Sequence, residues 1–275
     1  MIQDIFPHKL NNAYVLGAKP APDDSVLIFK NGEVAVKIEE DTHSLVFPKA
    51  QELDSAGELT YLFSVDEQQF FLSLDAKAPS GYEFQNVRAV REEKPQPAHL
   101  VYALFTAKHL ADWYRDTTYC GRCGGKMQAS SKERAMTCPA CSYTAYPRIM
   151  PAVIVGVTHG DEIILTRYRT GFRHNALIAG FTEIGETAEQ TVEREVMEEV
   201  GLKVKNIRYY KSQPWGVANN MLYGYFCEVD GDSTIKMDAN ELKLAQWTRR
   251  EDIQLQPDDL SLTNEMMKMF KEGKI

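Results

Sequence analysis

The sequence predicts an α/β fold: a layered sandwich preceded by a β-rich segment and a cysteine-bearing insert. Three observations predict it. Short apolar segments alternate with turn residues through the first 95 positions, two Cys-x-x-Cys pairs lie between residues 120 and 141, and the remainder reads strand, strand, acidic helix, strand, strand, helix. A chain of 275 residues has room for two ordinary domains and a small insert. The expected division is a β-rich N-terminal domain at 1–97, a helix with the cysteine insert at 98–146, and an α/β domain at 147–275.

In the first region, Ser25–Phe29, Glu33–Val36 and Tyr61–Val65 read as strands, with Asn31-Gly32 as a turn signal. Residues 91–97, charged and broken by Pro95 and Pro97, read as a link into a helix over Leu100–Tyr114. Beyond the insert, Val153–Val157 and Glu162–Arg167 form two strands around the turn His159-Gly160-Asp161. A long helix follows, then strands near Val204–Tyr210 and Met221–Val229 and a last helix over Leu262–Lys271.

The composition, 44% hydrophobic and 25% charged, is that of a globular protein with a sizeable core. A net charge of −8 argues against a chain that coats nucleic acid, since such binding needs Lys and Arg to displace counterions. It is compatible with a small phosphate ligand held through a divalent metal, which supplies the positive charge. The first residues show no basic region followed by an apolar stretch, and the run Pro151–Val157 is far short of the roughly 20 residues that span a bilayer. A cytoplasmic protein without membrane contact is expected.

Cys120 and Cys123 are separated from Cys138 and Cys141 by fourteen residues. Two Cys-x-x-Cys pairs at this distance supply four thiolates for a tetrahedral zinc. Two disulfides or unpaired thiols are the alternatives, and a compartment that keeps thiols reduced favours zinc. Four cysteines leave no open position for water, so this zinc is structural. The basic residues of the insert, Arg122, Lys126, Lys132 and Arg134, are too few for a nucleic-acid module. Cys227, in an apolar strand, reads as a buried small hydrophobe.

Thr187 and Gln190 form a capping box at the start of the long helix, and Gly201 stands where a left-handed residue closes one. Glu195, Glu198 and Glu199 lie at i, i+3 and i+4, on one face. Their mutual repulsion is relieved if they ligate hard cations. Val192, Val196 and Val200 make the adjoining apolar stripe. A merely solvated helix would interleave Lys and Arg, whereas here Arg194 stands alone among six glutamates between Glu186 and Glu199. Arg194 is expected to pair with Glu186 and hold the preceding loop.

From Gly180 to Leu202 the chain reads Gly, five residues, Glu, seven residues, Arg-Glu, an aliphatic, any residue, Glu-Glu, any residue, Gly and an aliphatic. This resembles the Nudix box without a departure. The resemblance implies a Nudix α/β/α sandwich, Mg²⁺ or Mn²⁺ held by Glu195, Glu198, Glu199 and the carbonyl of Ala179, and either Glu198 or Glu199 as the base that assists an attacking water. Glu241 resembles a further acidic ligand supplied from beyond the box. Tyr146-Pro147-Arg148 and Ser212-Gln213-Pro214-Trp215 extend the resemblance to the NADH pyrophosphatase (NAD diphosphatase) group, which carries a four-cysteine zinc ribbon. It implies cleavage of NAD(H) to nicotinamide mononucleotide and AMP by a homodimer, with Phe181, Tyr146, Gln213 and Trp215 facing the substrate and Arg194 within the catalytic set; Asn219 and Asn220, outside the group's pattern, are expected to face the substrate as well. One stretch departs: where the group continues with Pro-Phe-Pro and a Ser, this chain has Gly216-Val217-Ala218-Asn219-Asn220. The alternatives this opens are ADP-ribose, a dinucleoside polyphosphate, FAD or NAD-capped RNA, the last being the one nucleic acid expected. A nucleotide-sensing regulator that binds nucleic acid is the remaining class.

Overall fold

The computed structural model describes residues 1–54 and 57–275. The chain forms two compact units, one of residues 3–148 with 215–219, the other of 1–2, 149–214 and 220–275. The boundary near 148 runs along the chain, but the short 215–219 stretch belongs to the unit made by the first half.

In the first unit, strands β1 (Leu10–Asn11), β2 (Ser25–Lys30), β3 (Glu33–Ile38), β4 (Leu45–Val46), β5 (Thr60–Val65), β6 (Gln68–Ser73) and β7 (Glu83–Asn86) form a sheet in the order β1-β5-β6-β2-β3-β4, with β7 also paired to β3. Val26, Leu27 and Ile28 are all fully buried, so β2 is covered on both faces, the usual fate of a continuous aliphatic run. Two helices follow, α1 (Val87–Glu92) and α2 (Ala98–Asp116). Helix α1 was not expected from the sequence, which read residues 87–90 as part of the β-rich segment and 91–97 as a link. Its buried Val87 and Val90 stand one turn apart, and Asn86 caps it by accepting from the Arg88 amide at 2.9 Å. Helix α2 buries Val101, Leu104, Phe105, Leu110 and Trp113, and packs on α1, β2 and β5.

A small antiparallel sheet, β8 (Gln128–Ala129), β9 (Met136–Thr137) and β10 (Thr144–Ala145), carries the cysteines. Arg134 ties it to the larger sheet, donating to the carbonyl of Leu62 at 2.7 Å and that of Asn12 at 3.3 Å, while the Tyr14 hydroxyl donates to the Ser130 carbonyl at 2.8 Å. Of the insert's basic residues, then, Arg134 serves the chain's own backbone.

The second unit is a six-stranded mixed sheet: β11 (Met150–His159), β12 (Glu162–Tyr168), β13 (Ile178–Phe181), β14 (Val204–Trp215), β15 (Asn220–Val229) and β16 (Leu242–Arg249), in the order β14-β15-β11-β12-β16, with β13 on β11. Strand β11 runs parallel to β15, Val153 opposite Tyr223, and antiparallel to β13, Ile154 opposite Ala179. Alternate side chains point to opposite faces. Val153, Val155 and Val157 join Val192, Val196 and Val200 of helix α3 (Ala188–Val200) in one core, whereas helix α4 (Leu262–Lys271) packs on β11 and β15, its Met266 and Leu262 lying against Gly224. The result is the α/β/α sandwich that the sequence predicts. Among the described residues no helix is long and apolar enough to cross a membrane.

Candidate active site

The start of α3 is fixed by the expected capping box, Thr187 Oγ1 accepting from the Gln190 amide at 3.2 Å and Gln190 Oε1 from the Thr187 amide at 2.8 Å. Its end is closed by Gly201 at φ 69°, whose amide reaches the Met197 carbonyl. With the helix ends set and the valine stripe in the core, the three glutamates take three different environments. Glu198 is exposed, Glu195 is partly covered, and Glu199 is only 1% exposed.

Arg194 organises the exposed side of this face. Its Nε donates to Glu186 Oε1 at 2.6 Å, its Nη2 to Glu186 Oε2 at 2.9 Å and to the Phe181 carbonyl at 2.8 Å, and its Nη1 to Glu195 at 2.7 Å and Glu198 at 3.0 Å. The forked guanidinium thus links the 181–187 loop to two of the box carboxylates, a task that Lys has no geometry for. The hydrogen bond from Arg194 holds the Glu186 carboxyl down at about 2. Arg194→Ala is expected to lower stability by about 2 kcal/mol by leaving charge-assisted bonds unmade. Urea midpoints check this, and an unchanged midpoint would remove the brace from the account.

Glu199 sits differently. Its Oε1 accepts from the amide of Ala179 in β13 at 3.3 Å, and its Oε2 is buried without a partner. Burial, reinforced by the negative charges of Glu241, Glu195 and Asp238, pushes this carboxyl up to about 8. Burial also raises Glu195, against the pull of Arg194 and with the push of Glu198 and Glu241. Glu195 lies directly over β13: a Cβ on Gly180 would stand 1.8 Å from its Cδ, so only glycine fits there.

Glu241 borders a cavity of about 490 Å³ together with Tyr168, Arg169, Thr170, Asp238 and Asn240. Of these, only Glu241 was singled out from the sequence; Asp238 and Tyr168 are the missed residues that bear on Glu199. Asp238 donates its amide to the Glu199 carbonyl at 2.9 Å, and burial, then the charges of Glu199, Glu241 and Glu195, raise the Tyr168 phenol. The Asp238–Glu241 acid pair before β16 was the available signal. Sharing a face does not bring the box carboxylates to one point. Among the described residues, the four cysteines are the one group of three or more His, Cys, Asp and Glu whose ligand atoms all lie within 4.8 Å of one another. Arg194 occupies Glu195 and Glu198, and Ala179 occupies Glu199. A hard divalent cation nevertheless fits the chemistry: an orphaned, buried carboxylate oxygen, with further acids close enough to raise its pKa, is a site short of positive charge.

The cysteines form a separate centre in the first unit. Cys120 Sγ and Cys141 Sγ are 3.6 Å apart, Cys123 Sγ and Cys138 Sγ 3.5 Å. These distances are far too long for disulfides and close to the ~3.8 Å edge of a tetrahedron of sulfurs ~2.3 Å from zinc. Both Cys-x-x-Cys turns are built alike, the Gly124 amide bonding the Cys120 carbonyl and the Ser142 amide the Cys138 carbonyl, with Gly124 and Ser142 both left-handed.

The residues expected to face a substrate are divided between the units. Phe181, 51% exposed, and Asn220, with a buried Oδ1 lacking a partner, share the glutamates' unit. Gln213 also belongs there, but is fully buried, its Nε2 donating to the Leu260 carbonyl at 2.8 Å and its Oε1 accepting from the Leu262 amide at 2.7 Å, so it anchors the start of α4. In the other unit, Tyr146 is exposed and donates to Glu133 at 2.9 Å. Trp215 lies between Phe105, 5.4 Å away, and the Arg91 guanidinium, 5.0 Å from its ring. Asn219, left-handed at φ 60°, donates to Asp112 at 3.1 Å.

Comparison with known proteins accords with this geometry. Residues 148–269 match the NUDIX domain, and residues 115–146 match the NADH pyrophosphatase zinc ribbon domain. Proteins named NAD-capped RNA hydrolase NudC from Escherichia coli O1:K1 / APEC and from Shigella boydii serotype 18 are each 44% identical to this chain over 151 residues, 54% of this chain and 58% of the relative. The match therefore spans little more than half the length of these curated relatives. A NUDIX hydrolase crystal structure from Nitrosomonas europaea aligns with a TM-score of 0.50 at 18% identity, covering 57% of this chain and 92% of the other, a likeness of fold.

Proposed function

We infer that this chain, which carries a Nudix domain behind an NADH pyrophosphatase zinc ribbon domain, hydrolyses the diphosphate of NAD(H) to nicotinamide mononucleotide and AMP. The observation that carries the reading is Glu199, a buried carboxylate with an unpartnered oxygen, set beside Glu195 and electrostatically coupled to Glu241 on a cavity wall. Glu195, Glu198, Glu199 and Glu241, with the carbonyl of Ala179, would hold Mg²⁺ or Mn²⁺. Bound there, the metal would offset the diphosphate's charge and lower the pKa of a coordinated water.

The chain's own residues do the rest. Arg194 keeps Glu195 and the 181–187 loop in register, and the Ala179 amide orients Glu199. Glu198 or Glu199 would take the water's proton; the high proton affinity of Glu199 belongs to the metal-free site. Phe181, exposed just after Gly180, offers a flat ring for stacking on nicotinamide or adenine. The cysteine cluster would hold zinc and contribute folding energy to its own unit. A homodimer in the cytoplasm completes the proposal.

NAD-capped RNA is the second reading, favoured by the name of the NudC relatives. It presents the same diphosphate, and the net charge of −8 limits how much RNA backbone can be held. The test is parallel incubation of the Mg²⁺-supplied protein with NADH, NAD⁺, ADP-ribose, a dinucleoside polyphosphate and NAD-capped RNA, with products separated. Fastest release of nicotinamide mononucleotide and AMP from NADH supports the reading. An inert NADH beside a cleaved alternative overturns the substrate while leaving the metal chemistry in place.

A further inference from the structure

The first unit contains a second polar cleft, of about 300 Å³, lined by Arg88 of α1, Lys108, Asp112 and Arg115 of α2, and Val87 and Val217. In a chain of net charge −8, three cations here face one carboxylate. That carboxylate is already spent. Asp112 accepts from Lys108 Nζ at 2.5 Å and Asn219 Nδ2 at 3.1 Å on one oxygen, and from Arg115 Nη1 at 3.0 Å on the other. Arg115 also bonds Asp116, which in turn meets Arg148. Arg88 is exposed and makes no ion pair among the described residues.

A surface that only needed to be soluble would spread such charges. Here Lys108 and Arg115, about two turns apart on α2, are both held by the buried Asp112 between them, and an unneutralised guanidinium stands on the helix packed beside it. The volume exceeds what an inorganic phosphate needs and lies at the small end for small-molecule sites. Val87 and Val217 supply an apolar wall. We propose that this cleft binds the phosphate of a small phosphomonoester, a nucleoside monophosphate in size. Such a group carries roughly −1.5 to −2 charges at neutral pH, for which Arg88, the lining cation without a carboxylate partner, is the first counter-charge, and Lys108 and Arg115, shared with Asp112 and Asp116, are further donors.

The cleft is tied to the 215–219 segment, since Val217 lines it and Asn219 shares Asp112 with Lys108. An occupant would therefore stiffen that segment. The site itself does not depend on the hydrolysis reading. Identifying the occupant with a reaction product does, because that reaction releases two nucleoside monophosphates.

The experiment is calorimetric titration of the zinc-loaded full chain, without Mg²⁺ or Mn²⁺ and at constant ionic strength, with AMP, nicotinamide mononucleotide, inorganic phosphate and adenosine. Expected is saturable binding of the monophosphates, none of adenosine, and affinity weakened about tenfold or more in Arg88→Glu and to a smaller degree in Arg88→Ala, as for loss of a charge-assisted bond. Equal affinity for inorganic phosphate and AMP would make the phosphate group alone the ligand. Tighter AMP binding would make it the nucleotide. Hydrogen–deuterium exchange supplies the location, with slower exchange at 215–219 on adding AMP. Binding unaltered in both Arg88 variants, adenosine binding as well as AMP, or unchanged exchange at 215–219 would overturn the proposal. Because no turnover is read, its failure is distinct from failure of the hydrolase reading.

Discussion

Replacing Glu199 by Gln is expected to reduce turnover about 10³-fold or more while the fold and the zinc ribbon are retained, since in the proposed mechanism Glu199 acts through its carboxylate. The same substitution should stabilise the metal-free protein at neutral and alkaline pH. Glu199 has an ordinary value of 4.5 and is pushed up to about 8, first by burial. An acid raised in the folded state is fully tolerated below its unfolded value, and stability is lost as pH climbs from there through the folded value. The loss thus accumulates between pH 4.5 and about 8, with a ceiling of roughly 5 kcal/mol. The amide has no such titration, so thermal melts of the metal-free variant should flatten across this window. Mg²⁺ added to the wild type should release protons in the same interval. A variant with wild-type turnover would remove Glu199 from the mechanism, and a melting profile of unchanged slope would show that the carboxyl is not held in its protonated form.

The second large effect is expected from Cys138→Ser. Three thiolates hold zinc far less well than four, and in isolated zinc-dependent peptides the metal contributes on the order of 10–16 kcal/mol to folding. Cys138 is buried, and its amide bonds the Tyr143 carbonyl across the turn. The ribbon has little else inside it, its core being Cys120, Met127 and Cys138. Zinc content by atomic absorption and a thermal melt of the full chain should fall together, by roughly 5–10 °C in melting temperature for a loss of a few kcal/mol. Full zinc occupancy in the variant would exclude Cys138 as a ligand.

Much of this was readable in the sequence because it is local. The capping box, the valine stripe and Gly201 all lie within α3, and the two Cys-x-x-Cys turns each fold on their own neighbours. What escaped the sequence was non-local or masked. The spacing of Glu195, Glu198 and Glu199 gives a shared face, but not that β13 covers Glu199 and leaves Glu198 in solvent, because burial depends on a strand that starts ten residues before the helix. Helix α1 was hidden because the charges of Arg91–Lys94 outweigh a short Val87/Val90 pair. Gln213 stands in a motif suggestive of substrate contact, yet its amide is needed by Leu260 and Leu262, nearly fifty residues on. Asp238 and Tyr168 carry no periodic signal, and only the sheet order puts them near Glu199.

The membership of residues 215–219 in the first unit bears on how this protein can be dissected. Scissors applied at residue 148 would give a tidy sequence fragment with an untidy surface. Trp215 would lose its Phe105 and Arg91 neighbours, Asn219 its aspartate, and Gly216 the Phe105 carbonyl that a Cβ would approach to 1.9 Å. The fragment starting at 149 would carry a bare Trp215 on an exposed tongue. An evolving lineage faces the same obstacle: shuffling the C-terminal half onto another N-terminal partner requires that partner to supply a seat for five residues embedded mid-chain.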